Sequence, residues 1–197
     1  LVAGPIERST NLLPQLKKPA TFSYENMVHG FVYMCWGFFL KLVLADRVAI
    51  LVNEVFNDSG AYGGLMLLVG AIFFTIQIYC DFYSYSVIAK GSAKVLGIDL
   101  MDNFKEPLLA ASIGEFWRRW HISLSTWFRD YLYIPLGGSR KGRPRHLFNL
   151  MAVFMVSGLW HGAAMHFVLW GMIHCLFNCL EAATGRGKGK KSAGLKK

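Results

Sequence analysis

Between residues 147 and 180 the chain carries no Asp, Glu, Lys or Arg, yet it holds three imidazoles, His161, His166 and His174. With an ordinary pKa of about 6.5, a neutral imidazole takes a proton from a hydroxyl near pH 7 and returns it to a leaving group. An ionisable side chain at membrane depth is a functional candidate by default. His161, between Trp160 and Gly162, is therefore the first candidate for a general base. His166, Trp170 and His174 recur every four residues, and that spacing reads as one packing face of a helix. A fourth imidazole, His121, lies in FWRRWHISLSTWFRDYLYIPLGGSR (residues 116–140), which combines three Trp with four Arg. Helical spacing places His121 beside Arg118 and Ser125, and Asp130 beside Arg119 and Ser123, where an ion pair is expected. The four Cys (35, 80, 175 and 179) form no CxxC pair and no disulfide framework, and read as small buried hydrophobes. His174, Cys175 and Cys179 share a helix region, but no metal site is expected there.

The elements that must hold these groups follow from periodicity. At 100° per residue, Ile113, Phe116, Trp117, Trp120, Leu124, Trp127, Phe128 and Tyr131 share a stripe about 120° wide, with His121 at its edge. Arg118, Arg119 and Arg129 lie off the stripe. Rings on one face and guanidinium groups on the other suit a helix lying at a bilayer surface.

Hydrophobic residues make up 54% of the 197 positions, and mean hydropathy is +0.35. Two runs without a charged side chain, residues 59–80 and 147–180, are long enough to cross a hydrocarbon core of roughly 30 Å, which takes about 20 helical residues. Residues 27–45 form a third expected span despite His29 and Lys41. The net charge of +9 is concentrated: of 21 Lys and Arg, six lie in residues 185–197 and four in residues 140–145. Both clusters are expected on the cytoplasmic side. The run between them would enter and return, and it is short for two full spans. A broken, re-entrant or steeply packed pair around residues 157–162 is expected, with a pocket at that depth. The tail beyond Gly185 has the composition of a disordered segment near anionic headgroups. Nucleic acid is not an expected partner, because phospholipid is the nearer anion. The chain shows no internal repeat and no signal peptide, and it reads as an internal piece of a longer membrane protein.

The expected fold is all-α, a polytopic membrane protein with transmembrane, re-entrant and interfacial amphipathic helices. Its parts would be a loop with short surface helices (1–26), spans and a connection (27–112), the aromatic helix and basic loop (113–146), the helices of the candidate His (147–184) and the basic tail (185–197).

Four segments in order, LVAGPI (1–6), QIYCDFYSYS (77–86), FWRRWHISLSTWFRDYLYIPLGG (116–138) and SGLWHGA (157–163), resemble the membrane-bound O-acyltransferase superfamily, in its alginate O-acetyltransferase branch. The D-alanyl transfer protein of teichoic acid is a cousin. The likeness covers nearly the whole chain. One segment departs: the family's Asp-Phe-Ser-Gly-Tyr-Ser-Asp stands here as DFYSYSV (81–87), without the Gly and the second Asp.

The resemblance implies an integral membrane enzyme of the cell membrane, crossing it several times. An acyl group, most simply acetyl, would pass from a thioester donor, acyl-CoA or a carrier protein, to a hydroxyl of an exported polysaccharide or a relay acyltransferase. No bound cofactor is implied. SGLWHG matches the catalytic His motif, so His161 would be the general base, and the Arg-Trp-His-x-Ser match makes His121 a second functional position. Arg118, Arg119, Arg129 and Arg140 would hold donor phosphates or lipid headgroups. A lipid or protein acyltransferase of the same superfamily, or a non-catalytic membrane scaffold or export subunit, are the alternatives.

Overall fold

The computed structural model describes residues 4–19, 21–162 and 164–184, so the basic tail lies outside the described residues. All its regular structure is helical; among the described residues there is no strand. Among the described residues the α-helices are α1 (Ser9–Leu16), α2 (Tyr24–Phe39), α3 (Asp46–Asn57), α4 (Gly64–Val95), α5 (Ile113–Arg119), α6 (Ile122–Phe128), α7 (Arg143–His161) and α8 (Met165–Thr184). They fall into two compact units, formed by the described residues of 1–103 and of 104–197.

In the first unit α2 begins at Ser23, whose side chain accepts from the Asn26 N–H at 3.3 Å and so satisfies one of the free donors of the first turn. The chain stays helical from α2 through a π-helical segment, Leu40–Ala45, into α3. The 32-residue α4 packs along α2 through glycine. A Cβ on Gly91 would lie 2.6 Å from the Gly30 carbonyl oxygen, and one on Gly30 2.7 Å from that of Gly91. Only a missing side chain lets the two backbones approach this closely. Ser84, which stands in the altered DFYSYSV segment, is 1% exposed, and its carbonyl oxygen faces Gly37. Its hydroxyl donates back to Asp81 at 2.6 Å. A second small side chain therefore takes the glycine's place in the seam, and Val87 buries an apolar group where the family pattern has an acid.

Lys41 interrupts the apolar pattern of the expected span at 27–45, and it is held by Asp81 at 2.6 Å and Asp46 at 2.9 Å. Residues 27–45 lie within this continuous helical stretch; among the described residues, α4 and α8 are the helices that by themselves are long and apolar enough to cross a membrane. Most large apolar side chains of α2 and α4 point outward, among them Phe31, Val32, Trp36, Leu65, Leu68 and Ile72. So wide an apolar face marks a surface that lipid or further protein covers. Of the cysteines, Cys80 and Cys175 are buried and Cys179 half-buried, but Cys35 lies exposed on α2, which corrects the expectation of burial for all four.

The second unit corrects a further expectation. The aromatic segment is not one helix. It ends its first part at Arg119, breaks at Trp120 and His121, resumes as α6 and tightens into a π segment, Arg129–Tyr133. Residues 147–180 fall in a closely packed pair of helices that parts just after His161. Helices α7 and α8 are a hairpin of 19 and 20 residues, each about 29 Å long at 1.5 Å per residue. The uncharged run looked too short because α7 starts four residues earlier, at Arg143 and Pro144 in the basic loop. Gly142 supplies the φ of +85° that turns the chain into it, and Pro suits the first turn, where its missing N–H is not needed. The hairpin closes through glycine: a Cβ on Gly158 would meet the Phe167 carbonyl oxygen at 2.6 Å, and one on Gly171 that of Phe154 at 2.6 Å.

Candidate active site

Helix α5 is capped at Ser112, whose hydroxyl oxygen accepts from the Glu115 N–H at 3.1 Å, while Glu115 accepts from the Ala111 N–H at 2.9 Å. This reciprocal cap fixes the helix start. The Ala111 N–H, with help from Arg119, holds the Glu115 carboxyl below its ordinary range. One turn on, Arg119 bonds Glu115 at 2.6 Å and donates to the Glu106 carbonyl at 3.3 Å. Trp117 projects onto the hairpin, where its ring meets those of His174 (5.0 Å), Phe154 (5.5 Å) and Trp170 (5.7 Å) edge to face. Trp170 and His174 are thus packing residues, as their spacing predicts; His166 instead lies against Phe167.

At His121 the backbone turns left-handed, with φ +44° and ψ +54°. A non-glycine residue there is uncommon and costs of order 1–3 kcal/mol unless its surroundings impose it. The turn has a clear consequence. It takes His121 from the edge of the aromatic stripe, where regular helix would leave it, and buries it to 5% exposure. Its carbonyl still accepts the first bond of α6, from the Ser125 N–H at 2.9 Å, and its Nδ1 lies 3.5 Å from the Ser123 hydroxyl. Ser125 donates its side chain to the Trp120 carbonyl across the break. The break also divides the stripe: Leu124 and Phe128 are buried, while Trp127 and Tyr131 face outward.

His121 and His161 line one cavity of about 250 Å³ in this unit. His161 ends α7 and is exposed at the cavity's rim, its ring 5.0 Å from Trp170 and 5.1 Å from Trp160. Trp160 in turn lies 6.4 Å from His121. Burial, and then the neighbouring His161, lower His121 to about 4, so its imidazole is neutral at pH 7. Ser125, Arg129, Tyr133, His146, Ser157 and Asn178 are the cavity's other polar lining residues.

The four arginines named from the sequence are not brought together. Arg129 lines the cavity and pairs with Asp130 at 2.9 Å, so Asp130 is in an ion pair, with a partner other than the expected Arg119. Arg118 lines a second, larger space together with Arg143. Arg119 is held by Glu115, and Arg140 is exposed on the turn before α7. Sequence reasoning missed Tyr133, His146, Arg143 and Asn178. The aromatic-basic composition of residues 131–146 was the available signal, but which side chains converge depends on the turn at 134–142.

A sequence model of the membrane-bound O-acyltransferase family matches residues 1–187. The chain is 41% identical over 185 residues to the probable alginate O-acetylase of Pseudomonas putida, covering 94% of this chain and 38% of that protein. It is 36% identical to the peptidoglycan O-acetyltransferase of Helicobacter pylori (88% of this chain, 33% of that one) and 28% identical to the teichoic acid D-alanyltransferase of Bacillus subtilis (88% and 46%). This chain belongs to the membrane-bound O-acyltransferase family. It spans about two-fifths of the length of the alginate O-acetylases it matches.

Proposed function

We propose that this chain carries the transfer centre of a cell-membrane O-acetyltransferase that crosses the bilayer several times and modifies a hydroxyl of an exported polysaccharide or of a relay protein. The observation that carries the reading is the meeting of His121 and His161, forty residues apart in sequence, on one cavity. Three relatives named for O-acetyl or D-alanyl transfer to cell-surface polymers support the class of acceptor.

In the proposed reaction the acceptor hydroxyl hands its proton to the His161 imidazole as its oxygen attacks the thioester carbonyl. The tetrahedral adduct collapses, the C–S bond breaks, and the imidazolium returns the proton to the departing thiolate. His121, neutral and deeply placed, orients the reacting groups as a hydrogen-bond partner. The donor is a substrate, acyl-CoA or a carrier-protein thioester, and no resident cofactor takes part. Arg118 and Arg143 provide charge for its phosphates, while the exposed Trp127 and Tyr131 meet lipid at the interface. His161→Ala in the full-length protein should insert normally and lose about 10²-fold or more of acetyl transfer. Near-normal polymer acetylation in that variant would reject the assignment.

A further inference from the structure

Ser157 stands on α7 four residues before His161, on the same face and about 6 Å away along the axis at 1.5 Å per residue. It is 7% exposed and lines the histidine cavity. A hydroxyl inside a helix commonly turns back onto the preceding turn, and this protein follows that habit elsewhere. Thr75, Ser92, Thr126 and Thr184 each donate to the carbonyl four residues earlier, at 2.9 to 3.0 Å, and Ser84 donates three residues back, to Asp81. Ser157 makes no such bond, and among the described residues its hydroxyl has no other hydrogen-bond partner. Buried polar groups are paired as a rule, so a hydroxyl left over on a cavity wall calls for a partner inside the cavity.

The packing of α7 fixes where that hydroxyl stands. Gly158, the next residue, lies against the Phe167 carbonyl oxygen, and Phe154, one turn earlier, is buried against the Trp117 ring at 5.5 Å. These contacts set the rotation of the helix and leave Ser157 and His161 on the cavity. No Asp or Glu lines the cavity, so negative charge that develops there meets no carboxylate. No base is bonded to the Ser157 hydroxyl, so it is not primed as a nucleophile; it has a proton to donate and is free to rotate. When an oxygen beside His161 attacks an acyl carbon, the carbonyl oxygen of that group comes within reach of a donor one turn along α7.

We propose that Ser157 is a further catalytic residue, whose hydroxyl donates a hydrogen bond to the carbonyl oxygen of the acyl donor as charge develops on it. The acceptor oxygen bonds to the carbonyl carbon, the π pair moves onto the carbonyl oxygen, and the acceptor proton passes to His161. Collapse expels the thiolate, which takes that proton, and Ser157 keeps its own throughout. The inference rests on the proposed O-acyl transfer and adds to it the group that stabilises the tetrahedral adduct.

The test uses the full-length enzyme with acetyl-CoA as the donor, measured both as polymer acetylation in membranes and as thiol release to water by the purified protein. Ser157→Ala should lower kcat on the order of 10²-fold, with KM for acetyl-CoA within about threefold, the pattern of an interaction made only in the transition state. Attack by water should slow alike, because the same carbonyl oxygen is charged. The melting temperature in detergent should hold or rise, since the lost hydroxyl bonds nothing in the protein. A kcat within threefold of wild type, a loss confined to polymer acetylation, or a melting temperature that falls together with the rate would overturn the proposal. Should Ser157→Ala fail to reach the membrane, Ser157→Cys decides: it keeps the shape with only a weak donor, and its kcat should fall in the same way. Failure of the transfer reading is separate, since it would appear as an active His161→Ala.

Discussion

The hairpin of α7 and α8 places His161, and its geometry can be tested with one methyl group. A Cβ built on Gly158 would stand 2.6 Å from the backbone carbonyl oxygen of Phe167, whereas ordinary contact begins near 3.4 Å, a deficit of about 0.8 Å. The obstacle is backbone, so no side chain can rotate away, and α8 must move off α7. His161 lies one helical turn beyond Gly158, with Phe167 and Trp170 of α8 against its ring. A displacement approaching 1 Å at reacting groups costs on the order of 10²-fold in rate, and overpacking of this kind costs about 1–3 kcal/mol of stability. Gly158→Ala should therefore lower acetyl transfer by about 10- to 100-fold in membranes carrying matched amounts of enzyme, with a reduced melting temperature in detergent. Gly171→Ala, whose Cβ would meet the Phe154 carbonyl oxygen at 2.6 Å, should behave alike. The double variant should lose less than the two effects combined, because one separation relieves both clashes. Gly60→Ala, with nothing within 4 Å, is the control and should match wild type. Transfer by Gly158→Ala within twofold of that control would refute the close crossing.

His121 should also leave a mark on the pH dependence of stability. Its folded pKa of about 4 lies below the unfolded value, so the unfolded chain takes up a proton first as pH falls. The contribution is intact above about pH 6.5 and is lost between there and pH 4, amounting to about 2–3 kcal/mol by pH 4.5. His121→Asn, which tolerates the left-handed backbone and does not titrate, should show a smaller fall in melting temperature from pH 7.5 to 4.5; parallel curves would reject a buried neutral His121. The basic turn should face the cytoplasm, since Lys141 and its neighbours add positive charge beside apolar helices. A single cysteine at Lys141 should resist labelling by a membrane-impermeant maleimide in intact cells, and ready labelling would overturn that orientation.

How much of this was legible depends on the range of the interactions involved. The helical class and the apolar runs follow from composition and period, which are local. So does the packing role of Trp170 and His174, four residues apart on α8 and both against Trp117. The extent of α7 is not local in the same way: a charge marks the edge of the apolar run, whereas Arg143 and Arg145 extend the helix past it by bonding outward, to the Ala183 and Leu136 carbonyls. The contact between Tyr133 and His146 was out of reach, since the turn that joins them is set by Asn149 and Arg145 from the helix that follows.

The break at His121 shows why periodicity fails at the residue that matters here. A 100° rotation per residue assumes right-handed φ and ψ throughout, and under that assumption His121 belongs on the boundary between the aromatic face and the arginines. Nothing in Trp-His-Ile-Ser is a helix breaker by composition: there is no Gly and no Pro. The left-handed turn is imposed by its neighbours. Trp120 is held by Phe116 and by Phe104 on one side, while Leu124 and Phe128 are buried on the other, and a continuous helix could not satisfy both sets. The strain falls on the one residue between them, whose side chain is thereby carried inward to the cavity that His161 also reaches. A position where local propensity and tertiary packing disagree is where strain at a working site is expected to be stored. It is the physical reason to regard His121 as more than an interfacial anchor.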